Sequence, residues 1–171
     1  KLDPNGNVIW VKSMGGTEQD RCWGVAVDGA GNVNITGRFY NSALVEDTSI
    51  TSAGGEDIFI IQYDSSGNSI SQFSLAGRPN QIAIDNSNNI YAPITDAGIV
   101  QKFDSSGNLL LQFSTSGDGP FDTPHGVAVD SSGNVFVADR GGGKIQKFDS
   151  SGNFISNFAQ YGSGYSGPMN I

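Results

Sequence analysis

One seven-residue phrase recurs four times in this chain: KLDPNGN at 1–7, QYDSSGN at 62–68, and KFDSSGN at 102–108 and again at 147–153. A phrase repeated at intervals of 61, 40 and 45 residues makes the chain a tandem array of one structural unit. A second series interleaves with it, DGAGNV at 28–33, DNSNNI at 85–90 and DSSGNV at 130–135, so each unit holds two such turns. Asp85 to Asp104 and Asp130 to Asp149 both span 19 residues, whereas Asp28 to Asp64 spans 36, so the first full unit carries an insertion of 17 residues.

The chemistry of the phrase is that of a hairpin corner. The aspartate accepts backbone N–H groups, two residues take the right-handed turn conformation, and glycine supplies the positive φ that sends the second strand back with the correct twist. Asp64 and Gly67, Asp104 and Gly107, and Asp149 and Gly152 are therefore read as structural turns. Short alternating or β-branched runs flank every corner: GVAVD and VNITG, QIAID and IYAPI, GVAVD and VFVAD for one series; DIFIIQY and SISQF, IVQKF and LLLQF, KIQKF and FISNF for the other. No window carries a 3.6-residue period, so helices are expected to be nearly absent. Four antiparallel strands in a unit of about 40–45 residues is a β-propeller blade, its strands A to D running outward from a central axis.

The motifs also carry a family resemblance. FDTPHGVAVDSSGNVFVADRGGGKIQKFDSSGNFI at 121–155 resembles an NHL repeat through P-x-G-V-A-V-D, V-A-D and K-I-Q-K-F. WVKSMGGTEQD, GVAVDGAGNVNITGRF and TSAGGEDIFIIQYDSSGN, within 8–68, resemble instead the bacterial β-propeller repeat abbreviated SBBP. Gly142 and Lys144 stand where NHL repeats commonly have asparagine and arginine. In the middle blade Ile94 takes the position of Asp139 and Pro93 lies within a strand, which predicts the least regular blade.

The expected fold is all-β: a propeller segment with complete blades at 24–75, 80–114 and 125–159, the end of a blade at 1–13 and the start of another at 166–171. A ring closed on these ends would leave an unpaired strand edge, so the segment is expected to belong to a larger propeller of about six to eight blades. Remaining blades or neighbouring copies would then meet its open ends.

Composition narrows the partner class. Seventeen acids against nine bases give a net charge of −8, which repels phosphate backbones and argues against nucleic acid, including the RNA that some NHL propellers bind. No apolar run is long enough to span a membrane. The single cysteine, Cys22, forms no internal disulfide, so cysteine use leaves the compartment open. The resemblance to SBBP repeats implies a secreted or cell-surface protein, a prokaryotic one above all.

Hairpin corners A–B and C–D gather on one face of a propeller and the connections B–C and D–A on the other, the face on which loops vary and ligands are met. That loop face carries the insertion 38–57, the loop 139–143 with Asp139 and Arg140, and the connections 14–23, 115–125 and 159–168, so Arg21, Trp23, Phe39, Tyr40, Arg140 and Tyr161 are the candidate binding residues for protein or glycan. His125, the only histidine, is a weak metal candidate: the resemblance to NHL-like lyases and lactone or ester hydrolases, which hold a metal on the axis, implies several ligands where this segment offers one. The corner aspartates lack the alternating ligands and terminal glutamate of an EF-hand loop, and DRGGGK lacks the helix start and G-K-S/T of a phosphate loop. GGED at 54–57 reads as the return from the insertion, and the sequon Asn34-Ile35-Thr36 falls in an expected strand. No catalytic constellation and no cofactor are expected; the reading is a non-catalytic interaction or scaffold module, with a metal-dependent lyase or hydrolase as the alternative.

Overall fold

The computed structural model describes residues 1–45, 48–76, 81–116 and 119–160; Tyr161 and the strand expected at 166–171 lie outside the described residues. The first sheet contains β1 (Met14–Gly15), β2 (Arg21–Val27), β3 (Val33–Val45), β4 (Thr48–Tyr63) and β5 (Ser69–Ala76). The middle sheet contains β6 (Ala83–Ile84), β7 (Ile90–Ile94), β8 (Ile99–Phe103) and β9 (Leu109–Phe113). After a small ribbon of β10 (Thr115–Ser116) and β11 (Gly119–Pro120), the last sheet contains β12 (Pro124–Val129), β13 (Val135–Asp139), β14 (Lys144–Phe148) and β15 (Phe154–Gln160). Pairing is antiparallel throughout, in the orders β2-β3-β4-β5, β6-β7-β8-β9 and β12-β13-β14-β15, which is four strands per repeat in sequence order. The innermost strand β6 lies against β2 on one side and β12 on the other. The described residues hold one short 3-10 turn, Thr95–Ala97, and no α-helix.

All seven corners close in the same way. At Asp149 the carboxylate Oδ1 accepts the amides of Ser151 and Asn153 at 2.9 Å, and Oδ2 accepts the Asn153 side-chain amide at 2.9 Å. The Asp149 amide donates to the Asn153 carbonyl, and the Gly152 amide to the Asp149 carbonyl. The same set recurs at Asp3, Asp28, Asp64, Asp85, Asp104 and Asp130. The final asparagine of the phrase therefore has a duty of its own: it clamps the second carboxylate oxygen that a backbone-only turn leaves open. Six corners place glycine at φ between 79° and 91°; the seventh uses Asn88 at φ 62°, a residue type that tolerates this region.

Sheet packs on sheet through alternating side chains. Ile58 and Ile60 of the first sheet meet Ile90, Ala92, Ile94 and Phe103 of the middle one, and Tyr91 and Val100 on its far side meet Val127, Val135, Val137 and Phe148 of the last. Burying each of these valine, isoleucine and phenylalanine side chains is worth about 1.5–3 kcal/mol. An aromatic pair marks every junction: Trp10 with Tyr63, Phe73 with Phe103, and Phe113 with Phe148, at centroid separations of 5.6, 5.7 and 4.9 Å. The first ring of each pair also covers the corner glycine of the following sheet, so a Cβ on Gly107 would lie 2.7 Å from Phe73 and one on Gly152 2.9 Å from Phe113. Absence of a side chain is needed there for packing as well as for φ.

Two expectations are altered. The insertion 38–57 is not a loop: β3 and β4 run through most of it as a paired ribbon interrupted by a bulge after Tyr40, with Asn41 at φ 56°, and β1 pairs with its far end through Met14 and Val45. Pro93 keeps its pairing to Val100 on β8, but β6 is reduced to two residues. The reason is geometric. Arg140, past the end of β13, turns its amide to the inner side, onto the Thr123 carbonyl, and residues two apart in a strand point the same way. Ala138 and its counterpart Pro93 thus face the inner strand, and proline has no N–H to offer.

Candidate binding site at the loop face

The inner strands β2 and β12 share a local irregularity. Pairing with the neighbouring strand skips a residue between Cys22 and Gly24 and again between Pro124 and Gly126, so Trp23 and His125 are the extra residues of matching bulges near the loop-face end. A bulge re-aims the side chain it carries. Trp23 is left 40% exposed although it sits in a strand.

Around Trp23 the first sheet assembles a stack. Arg21 and Arg38 are directly opposite across β2 and β3, which puts both on one face. The Arg38 guanidinium carbon lies 5.4 Å from the Trp23 ring centroid and 5.9 Å from that of Tyr40, within cation–π range of both. Asp20 steadies the edge of this group by accepting the amides of Gly16 and Tyr40. Arg21 itself is exposed.

Phe39 corrects the sequence reading. It points to the opposite face of β3, is 0% exposed, and packs with Phe59, Ala43 and Val45, so it is core and not a contact residue. Alternation along β3 supplies the reason: once Phe39 is inward on one side, Arg38 and Tyr40 belong to the other. That signal was available in the sequence GRFY and points to Arg38, which sequence reasoning left out of the candidate set.

The last sheet shows a related arrangement with different chemistry. His125 is half-buried, and burial, followed by the charge of Arg140, holds its imidazole below the usual value. Its Nδ1 has no hydrogen-bond partner among the described residues. Arg140 is exposed, and its amide is tied to the Thr123 carbonyl. Asp139, placed in the loop by the sequence reading, is fully buried and accepts the amides of Asp122 and Thr123 at 2.9–3.2 Å. It is a clamp on the connection entering β12, not a surface acid. Thus Arg21, Trp23 and Tyr40 come together with Arg38 on the first sheet, and Arg140 stands with His125 on the last.

Other candidates resolve by their surroundings. Burial pushes the Cys22 thiol up, which disfavours the reactive thiolate; it borders a pocket of about 90 Å3 lined by Met14, Val45 and Phe59. Asn34 of the sequon is 0% exposed between the first and middle sheets, so the folded chain offers it to no glycosylating enzyme. Among the described residues no three His, Cys, Asp or Glu side chains stand together as a metal-binding set. No helix among them is long and apolar enough to cross a membrane.

With this geometry established, comparison with known proteins identifies the architecture. Residues 121–148 match the family model described as NHL repeat. A calcium-binding protein, regucalcin, from Agrobacterium tumefaciens superposes with a TM-score of 0.54 at 16% identity, over 81% of this chain and 45% of its own. The fold is a β-propeller segment. The WD40 repeats of RRP9 align with a TM-score of 0.57 at 12% identity over 90% of this chain and 42% of theirs. A catalytically inactive virginiamycin B lyase from Staphylococcus aureus, solved with quinupristin, aligns at 0.52 and 14% identity over 90% and 60%. This propeller segment spans about half the length of the structures it matches. No curated protein sequence matches it.

Proposed function

We propose that the segment is part of a non-catalytic binding propeller that holds a protein partner, or failing that a glycan, through its loop face. The observation that carries this reading is the partly exposed Trp23, presented by a bulge and backed by Arg38 and Tyr40. Tryptophan, tyrosine and arginine are the residues that dominate binding energy when a partner desolvates them, and a rigid strand presents them at little entropic cost. The corners on the other face use their polar atoms to close hairpins. The first blade reads as SBBP-type, and with that goes a secreted or cell-surface location in a prokaryote.

Display selection of linear peptides, with a glycan array in parallel, tests the reading on the full chain. Trp23→Ala is expected to weaken selected binders at least tenfold and Arg140→Ala to a smaller extent, with unchanged thermal melting. Binding that follows changes at Asp104 or Asp149 and ignores Trp23 would move the site to the corner face.

A second reading, a metal-dependent lyase or lactone or ester hydrolase, draws on His125, which the matching bulge aims from an inner strand. Turnover that needs a divalent metal and disappears in His125→Ala would establish it in place of the first.

A further inference from the structure

On the face opposite the loops, we propose a second binding site, independent of Trp23: the cleft between the A–B corners of the middle and last blades takes one neutral sugar ring of a glycan. The cleft has a volume of about 260 Å3 and is walled by the corners that begin at Asp85 and Asp130, together with Lys102 and Ser150. The two corners are tied to each other by the Asn86 side-chain amide, which donates to the Ser131 carbonyl at 3.3 Å. A volume below the roughly 300–1,000 Å3 of sites for drug-sized molecules admits a single ring. Aspartate and asparagine atoms close these turns, and Ser87 and Ser132 contribute to them through their amides. Ser87, Ser131, Ser132 and Ser150 thus bring to the cleft hydroxyls that the turns do not use. The corresponding junction of the first and middle blades has no such wall, since Gly29 and Ala30 stand where the last blade has Ser131 and Ser132.

The charges at the cleft select the ligand class. Lys102 stands where the first blade has Gln62, directly across the ladder from Tyr91. Its side chain is 13% exposed, with the ammonium 3.2 Å from Asp85 Oδ2 and 4.9 Å from the Tyr91 ring centroid. An ammonium carries three donors, so an apolar occupant would leave a donor unpaired. Two carboxylates against one ammonium disfavour a phosphate or carboxylate ligand. The oxygens of Asp85 and Asp130 already accept amides, and the Lys102 charge lies beside the first of them, which disfavours a metal cation. A sugar hydroxyl donates and accepts as a serine hydroxyl does, and a neutral ring adds no charge, so it satisfies the serines and the ammonium together.

Amide NMR spectra of the full chain are recorded with the methyl glycosides of glucose, galactose, mannose and N-acetylglucosamine, and with the free sugars, glucuronate, a sugar phosphate and calcium chloride for contrast. At least one methyl glycoside is expected to shift the amides of residues 86–87 and 131–132 and to leave those around Trp23 unmoved. Ser131→Ala combined with Ser132→Ala is expected to weaken that binding about tenfold, and Lys102→Gln severalfold. Ser132→Trp, at an exposed position, fills the cleft and is expected to abolish it. Thermal melts show that each variant keeps its fold. Trp23→Ala is expected to leave sugar binding unchanged, so this site and the loop-face reading stand or fall separately. Glucuronate or the sugar phosphate bound in place of the neutral rings, or calcium alone shifting the same amides, overturns the ligand class. A free sugar bound without its methyl glycoside overturns the glycan. Shifts confined to the surroundings of Trp23, binding that survives Ser132→Trp, or no shift with any sugar overturns the site.

Discussion

The middle and last blades share the outer corner KFDSSGN and the same order of outer strands, yet their inner strands differ. In the last blade β12 pairs with β13 from Val129 to Pro124; in the middle blade only Ala83 and Ile84 pair. Two neighbouring positions account for the contrast. Ala138 keeps the inward amide that Pro93 lacks, and Asp139 gathers the incoming amides where Ile94 is buried in the aliphatic cluster between the first and middle blades. The middle blade fastens its loop end by another bond, from the Thr95 hydroxyl to the Pro124 carbonyl of the last blade at 2.8 Å. A blade therefore tolerates a weakened inner strand when its outer corner is intact and a neighbour supplies the missing tie.

The largest expected effect tests whether the outer halves are equivalent. Gly107→Val and Gly152→Val each force a branched residue into positive φ and drive a Cβ into the ring of the preceding blade, for a combined loss of about 3 kcal/mol at either site. Chemical denaturation of the two variants measures it. A clear inequality would carry the difference between blades outward from the inner strand.

Next comes the clamp. Asp139→Ala leaves two amides of the connection unpaired and is expected to lower stability by about 2 kcal/mol, while Thr95→Val removes one bond and is expected to lower it by about 1 kcal/mol. Equal losses in denaturant titrations would mean that the two ties do the same work.

Acid tests what the blades share. Hydrogen bonds from Asn108 and Asn153, first from the side-chain amide and then from the backbone amide, hold the carboxyls of Asp104 and Asp149 below their usual value of 3.8. A carboxyl with a lowered folded-state pKa contributes stability that is complete above its unfolded value and is lost as pH falls through the folded one. Melting temperature is therefore expected to hold down to about pH 4 and to fall below it. Asn108→Ala and Asn153→Ala should each flatten that fall, and by similar amounts. Asp85 in the middle blade is opposed by burial, but bonds from Asn89 and Ser87 and the Lys102 ammonium at 3.2 Å still bring it down.

The smallest effect falls on Pro93. Pro93→Ala restores an inward donor but frees the unfolded chain, so stability is expected to change by less than about 1 kcal/mol. Hydrogen exchange is the sharper measurement: the new amide at 93 should be protected as the Ala138 amide is. A freely exchanging amide would show that something other than proline shortens β6.

The corners, the strand sequence and the propeller class were legible because each depends on residues within a few positions of one another. An aspartate reaches amides two and four residues on wherever the rest of the chain lies, and Pro93 lacks a donor in any setting. The loop face was legible only in outline. Phe39 became core and Arg38 joined the rings of Trp23 and Tyr40 on the other face because strand alternation assigns faces only once the ribbon is known to be paired, and sequence treated 38–57 as a loop. Trp23 and His125 project from strands because one extra residue was accommodated between Cys22 and Gly24 and between Pro124 and Gly126, a register choice set by what packs on either side of the bulge. Asp139 reads as one more surface acid until the chain entering β12 turns two amides onto it. Local hydrogen bonding fixed the corners; which side chains remain for a partner was decided by register and packing between strands distant in sequence.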